Sequence, residues 1–293
     1  MINYRQIREQ TMSNIYVFHQ GRGDSGWLWY NVFDGNEWVG DQQVPKTGMT
    51  GDPSAVVYND LLYVFHQGRG DSGWLWYNVF DGNEWAGDKE IGKTGITAGP
   101  SAVVYNDLLY VFHQGRGDSG WLWYNVFDGN EWAGDQEVPK TGITSSPSAV
   151  VYNDLLYVFH QGRGDSGWLW YNVFDGNEWA GDKEVRATGL TDDPDALVYN
   201  GQVYVFHEGR GDNGWLWCNV FDGDKWAGDH KIHKTGITAG PSAVVYNDQI
   251  YLLHQGREDS GWMWCNVFNG SEWVGDEEVP NTGISEGPGA VIY

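Results

Sequence analysis

The chain has 293 residues, 41% hydrophobic and 19% charged, with 42 Gly, 9 Pro, 2 Cys and 18 Trp. That is enough apolar material for one large domain or two small ones, and too much for a disordered chain. Acidic residues outnumber basic ones 40 to 17, a formal net charge of −23. Such a surface repels phosphate backbones and anionic headgroups, which excludes nucleic acid as a partner. No stretch approaches the ~20 apolar residues that cross a bilayer, so no membrane insertion is expected. Two cysteines cannot make a disulfide scaffold. The first residues, MINYRQIREQTMSN, carry no apolar signal core. A cytoplasmic chain, or one released by a non-classical route, is the expectation.

The chain repeats itself. YVFHQGR begins at Tyr16, Tyr63, Tyr110 and Tyr157, and returns as YVFHEGR at Tyr204 and YLLHQGR at Tyr251, each 47 residues after the last. Three Trp per unit over six units account for all 18. A period of 40–50 residues points to a propeller or a solenoid.

Turn chemistry divides the second unit. Residues 53–58 (PSAVVY) form a short β-branched run closed by Asn59-Asp60, and 61–67 form a second run before the turn GRGDSG. Residues 74–80 form a third, followed by the hairpin signal Asp81-Gly82-Asn83, and 84–91 form a fourth. Four antiparallel strands without helical periodicity make a propeller blade. The fold class is therefore all-β, a six-bladed β-propeller. Its blades fall at 14–49 with 286–293, 50–96, 97–143, 144–190, 191–237 and 238–285. The chain starts at a second strand and stops after a lone first strand, so the two ends complete one blade and close the ring. A solenoid would need atypical capping units instead.

The motif DSGWLW at Asp24, with counterparts at Asp71, Asp118, Asp165, Asp212 and Asp259, resembles the Asp-box of sialidases and related propellers. There a turn carboxylate accepts backbone N–H bonds, so the motif reads as structural. Near-identical blades offer one residue six times rather than a single acid/base pair, so no catalytic residue is assigned. Arg-Gly-Asp-Ser at Arg22, Arg69, Arg116 and Arg163 suggests an integrin ligand, but one duplicated turn accounts for every copy. Each repeat motif supplies one His with no second soft ligand at i+2 or i+4, so no metal or other cofactor is expected. The acidic turns lack the alternating pattern of calcium loops. Cys218 and Cys265 replace the Tyr of the other units, too far apart for a disulfide.

The order V-F-x-x-G, D-x-G, L-W, D-G-x-x-W, T-x-x-P is carried here by Val64, Phe65, Gly68, Leu75, Trp76, Asp81, Gly82, Trp85 and Pro100. It resembles the bacterial propeller lectins of the Photorhabdus type and, more loosely, the Aleuria-type fungal fucose lectins. The resemblance implies sugar pockets between neighbouring blades. Where the Aleuria type has its sugar-binding Arg and Glu, this chain carries Tyr63 and Tyr77.

The expected function is a non-enzymatic, multivalent lectin for neutral sugars. The alternatives are a protein-interaction propeller, including Arg-Gly-Asp recognition, and more remotely a sialidase-like hydrolase. Pairing Gly68 with Gly73 sets Gln67 opposite Trp74 and His66 opposite Leu75, which brings Gln, Trp and a neighbour's His to one cleft under the Arg turn. The candidate site is therefore the rim Trp of each unit (Trp27, Trp74, Trp121, Trp168, Trp215, Trp262) as stacking platform. Hydroxyl partners would be Arg22, Arg69, Arg116, Arg163, Arg210 and Arg257; His19, His66, His113, His160, His207 and His254; and Gln20, Gln67, Gln114, Gln161, Glu208 and Gln255. A second candidate location lies around Tyr77 and Trp85.

Overall fold

The computed structural model describes residues 13–211, 214–258 and 260–293. Asp212, Asn213, Asp259 and the N-terminal segment 1–12 lie outside the described residues. Among the described residues the regular secondary structure is entirely β. Blade 2 shows the plan, with strands Met49–Tyr58, Leu61–Gly68, Trp74–Phe80 and the first residues of Lys89–Tyr105 paired antiparallel from the axis outward. The 17-residue strand Lys89–Tyr105 leaves blade 2 as its outer strand and becomes the innermost strand of blade 3.

Local chemistry sets the turns. Asn59 and Asp60 both take positive φ, 50° and 62°, the two-residue I′ hairpin that these side chains tolerate. At the outer hairpin, the Asp81 carboxylate accepts the N–H groups of Asn83 and Glu84, each at 2.8 Å. Those bonds, Glu84 first, hold Asp81 below the usual carboxylate range. Gly68 is needed because a Cβ there would lie 2.6 Å from the Trp76 indole nitrogen.

Each core lies between blades. Tyr63, Phe65 and Leu75 of blade 2 pack against Leu109 and Val111 of blade 3, with the half-buried Tyr77 and Trp132 closing the outer end. The ring closes through Gly289–Ile292, which pairs antiparallel with Ile15–Gln20, setting Ile15 against Ile292 and Phe18 against Gly289.

Polar latches repeat the joint at every junction. Asn78 Nδ2 donates to Thr47 Oγ1 of the preceding blade at 2.7 Å, while its Oδ1 accepts the N–H groups of Val79 and Gly87. The same Asn–Thr bond recurs at all six junctions, Asn31 to Thr282 spanning the chain ends. Around the axis, Ser54, Ser101, Ser148, Asp195 and Ser242 each accept a backbone N–H from the next blade. The sixth position is Gly289, where a Cβ would stand 2.3 Å from the Pro53 carbonyl oxygen.

Candidate functional site

The hairpin register differs by one residue from the sequence expectation. Gln67 pairs with Leu75 and His66 with Trp76. The Ser72 N–H reaches the Gly68 carbonyl across four residues, so the loop is longer than glycine pairing implied. A one-residue slip exchanges the two faces of a strand. His66 therefore shares its face with Trp76 and Asn78, whereas Gln67 shares its face with Phe65, Leu75 and Tyr77 and turns toward the next blade.

This corrects the role of the histidines. His19, His66, His113, His160, His207 and His254 are all fully buried. In His66, Nδ1 meets the Gln67 carbonyl at 3.0 Å and Nε2 meets the Asp88 carboxylate at 2.9 Å. The other five repeat both contacts, on Asp41, Asp135, Asp182, Asp229 and Asp276. Both ring nitrogens are occupied and no surface remains for a sugar. Each His instead fastens the outer connection of its own blade, the partnering that a buried imidazole requires.

The rim tryptophans are covered too. The Arg116 guanidinium lies 4.3 Å from the centre of the Trp74 ring of the preceding blade. The pairs Arg69–Trp27, Arg163–Trp121, Arg210–Trp168, Arg257–Trp215 and Arg22–Trp262 repeat the contact at 4.4–4.7 Å, the last across the ring closure. Arg116 Nη2 also donates to the Ser72 carbonyl. Its stem crosses Gly73, which has φ +70°, and a Cβ there would lie 2.6 Å from Nε. The rim Trp is thus a seat for the neighbour's Arg, with one ring face taken, and not an open stacking platform.

The Arg-Gly-Asp turn is anchored from below, because Thr50 Oγ1 accepts the N–H groups of Gly70 and Asp71. Asp71 has φ +50° and an exposed side chain that accepts none of these backbone bonds, unlike the Asp-box expectation. That task falls to Asp81 on the opposite hairpin.

Arg, Asp and Gln still converge. A cleft of about 750 Å³ on the turn face runs across blades 4 to 6 and is lined by Gln161, Asp165, Thr191, Glu208, Arg210 and Arg257 among others. A second, of about 400 Å³, lies between blades 6 and 1 and is lined by Arg22, Asp24, Gln255, Ser285 and Glu286 among others. The Gln side chains are largely buried, Gln20 only 4% exposed, with its Oε1 accepting the Gly51 N–H at 3.1 Å. These two clefts each bring a guanidinium, a carboxylate and an amide together. Such a set recognises vicinal hydroxyls.

Sequence reasoning missed the residues that build this frame, Thr50, Asp88 and Asn78. Asn78 was visible as an invariant of the repeats, but its Thr partner lies 31 residues away in the preceding blade.

The outer location is closed at most junctions. Tyr77 meets Trp132 of the next blade at 5.8 Å between ring centres, and Trp85 meets Tyr30 of the preceding blade in the same way. Tyr77 and Trp85 thus serve different junctions.

No protein-family model matches the chain, and no curated protein does. Solved structures do. A lectin of Aleuria aurantia in complex with Fucα1-6GlcNAc superposes with a TM-score of 0.66 at 15% identity, over 92% of this chain and 96% of that one. AofleA of Arthrobotrys oligospora gives 0.64 at 13% identity, over 96% and 88%. The α-L-arabinofuranosidase of Clostridium thermocellum gives 0.53 at 15% identity, over 81% and 96%. The Aleuria lectin is described as a six-bladed β-propeller with a novel fucose recognition mode. What is shared is the propeller fold. At these identities the likeness extends to the ring and its blades and not to individual side chains.

Proposed function

We propose that the protein is a multivalent carbohydrate-binding protein that takes neutral sugars in the turn-face clefts between blades. The observation that carries this reading is the repeated meeting of Arg, Asp and Gln at solvent-open junctions. A hydroxyl that donates to Asp165 can accept from Arg210, both of which line the larger cleft, so one saccharide diol satisfies both groups. The shared fold with a fucose lectin supports the same direction. One such site binds at Kd ~10⁻⁴ M. Several on one rigid ring raise avidity ~10²–10⁴-fold on a clustered glycan.

The reading is non-enzymatic. An arabinofuranosidase shares the architecture, yet the axial carboxyls Asp52 and Asp193 here crowd one another and accept the backbone N–H groups of Gly287 and Ser146. Glycoside hydrolysis needs two carboxyls about 5 Å or more apart with a sugar between them. The axial channel, about 170 Å³, is lined by repeated Pro, Ser and Ala together with Asp52, Asp193 and Asp195. Integrin-type recognition needs a projecting Arg, whereas these guanidiniums lie on the neighbouring Trp.

A glycan array followed by calorimetry tests the proposal, with about five or six equivalent sites per chain expected. Exchanging Asp24, Asp71, Asp118 and Asp165 for Asn keeps the left-handed backbone, which Asn tolerates. It should weaken binding at least tenfold with Tm unchanged. Unaltered binding, or a single site, would remove the turn-face clefts as the locus.

A further inference from the structure

The outer clefts are not equivalent, and the difference has a chemical sense. In blades 1 to 4 the third strand places a Tyr (Tyr30, Tyr77, Tyr124, Tyr171) against the outer Trp of the next blade, and a Phe of the second strand meets that Trp edge-on. In blade 6 both are replaced, by Cys265 and Leu253. Two rings are missing, and a cleft of about 590 Å³ opens between blades 6 and 1.

Its walls combine aromatic rings with carboxylates. Phe33 lies 5.3 Å from Trp38 and 5.7 Å from Tyr251, centre to centre, so three rings adjoin. Glu37, Glu277 and Glu278 also line the cleft, and among the described residues no Lys, Arg or His does.

Two other blades place an internal cation at this location, whereas blades 1 and 3 carry Gln42 and Gln136 there. Lys89 pairs with Tyr77 across the strands and sets its ammonium 6.0 Å from that ring. Lys183 does the same over Tyr171 at 5.9 Å. In blade 6 the position of Lys89 is Glu277, paired with Cys265. The internal cation and the ring it covers are both gone, and a carboxylate stands in place of the cation. In blade 5, Cys218 pairs with His230 and Phe206 still packs on Trp273, so that junction has neither the acidic wall nor the lost Phe.

We propose that the cleft between blades 6 and 1 is a single binding site for a small organic cation, whose ammonium group lies against Trp38 and Tyr251 and is balanced by Glu277 and Glu278. Ring faces attract ammonium ions through their quadrupole, and adjoining rings strengthen the effect. This site is distinct from the turn-face clefts and stands whether or not those bind sugars.

Choline and its uncharged isostere 3,3-dimethylbutan-1-ol separate charge recognition from apolar filling. Calorimetry at matched ionic strength should give one choline per chain, with the isostere at least about tenfold weaker. Cys265→Tyr restores the ring of the other blades and should abolish choline binding. Glu277→Lys, an exposed change that threatens no core, supplies an internal ammonium and should weaken choline at least about tenfold. Neither variant should alter glycan binding at the turn face. The proposal fails if choline does not bind, if the isostere binds equally, if several cholines bind per chain, or if Glu277→Lys binds choline as the parent does.

Discussion

At the scale of single residues, charge is kept by pairing it. The buried His66 persists because Asp88 and a backbone carbonyl complete its ring. Removing the ring strands the Asp88 carboxylate, so His66→Ala should cost about 1–3 kcal/mol in urea unfolding while glycan binding stays unchanged. A loss of binding without a loss of stability would return the histidines to the site. Cys218 and Cys265 are buried, unpaired thiols. Burial, then the Asp276 and Glu277 charges, push Cys265 up to about 12. Both thiols should resist a disulfide reagent in the native ring at pH 8 and react promptly once urea unfolds it, since only the thiolate attacks.

At the scale of elements, the ring depends on contacts between blades as much as within them. Each Arg–Trp contact is exposed and contributes ~0.5–1 kcal/mol. Each Asn–Thr latch is buried, so Asn78→Ala should cost more than Arg69→Ala; equal losses in denaturant melts would contradict this ranking. Closure rests on the short strand Gly289–Ile292 beside Ile15–Gln20. Deleting residues 286–293 bares an edge and should lower Tm by roughly 10 °C or more, with aggregation. A truncated chain that melts like the parent would show that closure is dispensable. Four strands per unit and the closing strand were legible in the sequence, since β-branched runs and Asn-Asp turns are local. The hairpin register was not. It depends on an i→i+4 turn bond that glycine spacing does not reveal, and one residue of error sent His66 to the wrong face.

Across the whole molecule, opposite blades meet at the axis through acids. Burial first, then the Asp193 charge, raise Asp52 well above the usual carboxylate range. The Asp193 charge first, then burial, take Asp192 to about 8, and burial takes Asp195 to about 7. The unfolded values are near 3.9, so the folded ring binds more protons. The stabilisation is complete below pH 4 and is lost as pH rises through about 7 to 8. The exposed hairpin carboxylates such as Asp81 act in the opposite sense, below the usual carboxylate range, and do not disturb this window. Tm should therefore fall by several degrees between pH 5 and pH 9. Asp52→Asn combined with Asp192→Asn should make the decline shallower, leaving the Asp195 contribution, and stabilise the ring at pH 9. A parent profile that rises over this range would refute the axial assignment.

Period, strand number, turn positions and ring closure were determined by the sequence alone. They follow from local backbone preference and from a repeat whose ends complement each other. The tertiary structure decided which face each side chain uses and what it meets there. Arg69 was visible as an invariant, but its seat on Trp27 belongs to another blade. The opening beside Cys265 likewise depends on Trp38, 227 residues earlier in the chain and adjacent only because the ring closes. Such contacts join residues one blade or one full circuit apart, and no local pattern encodes them.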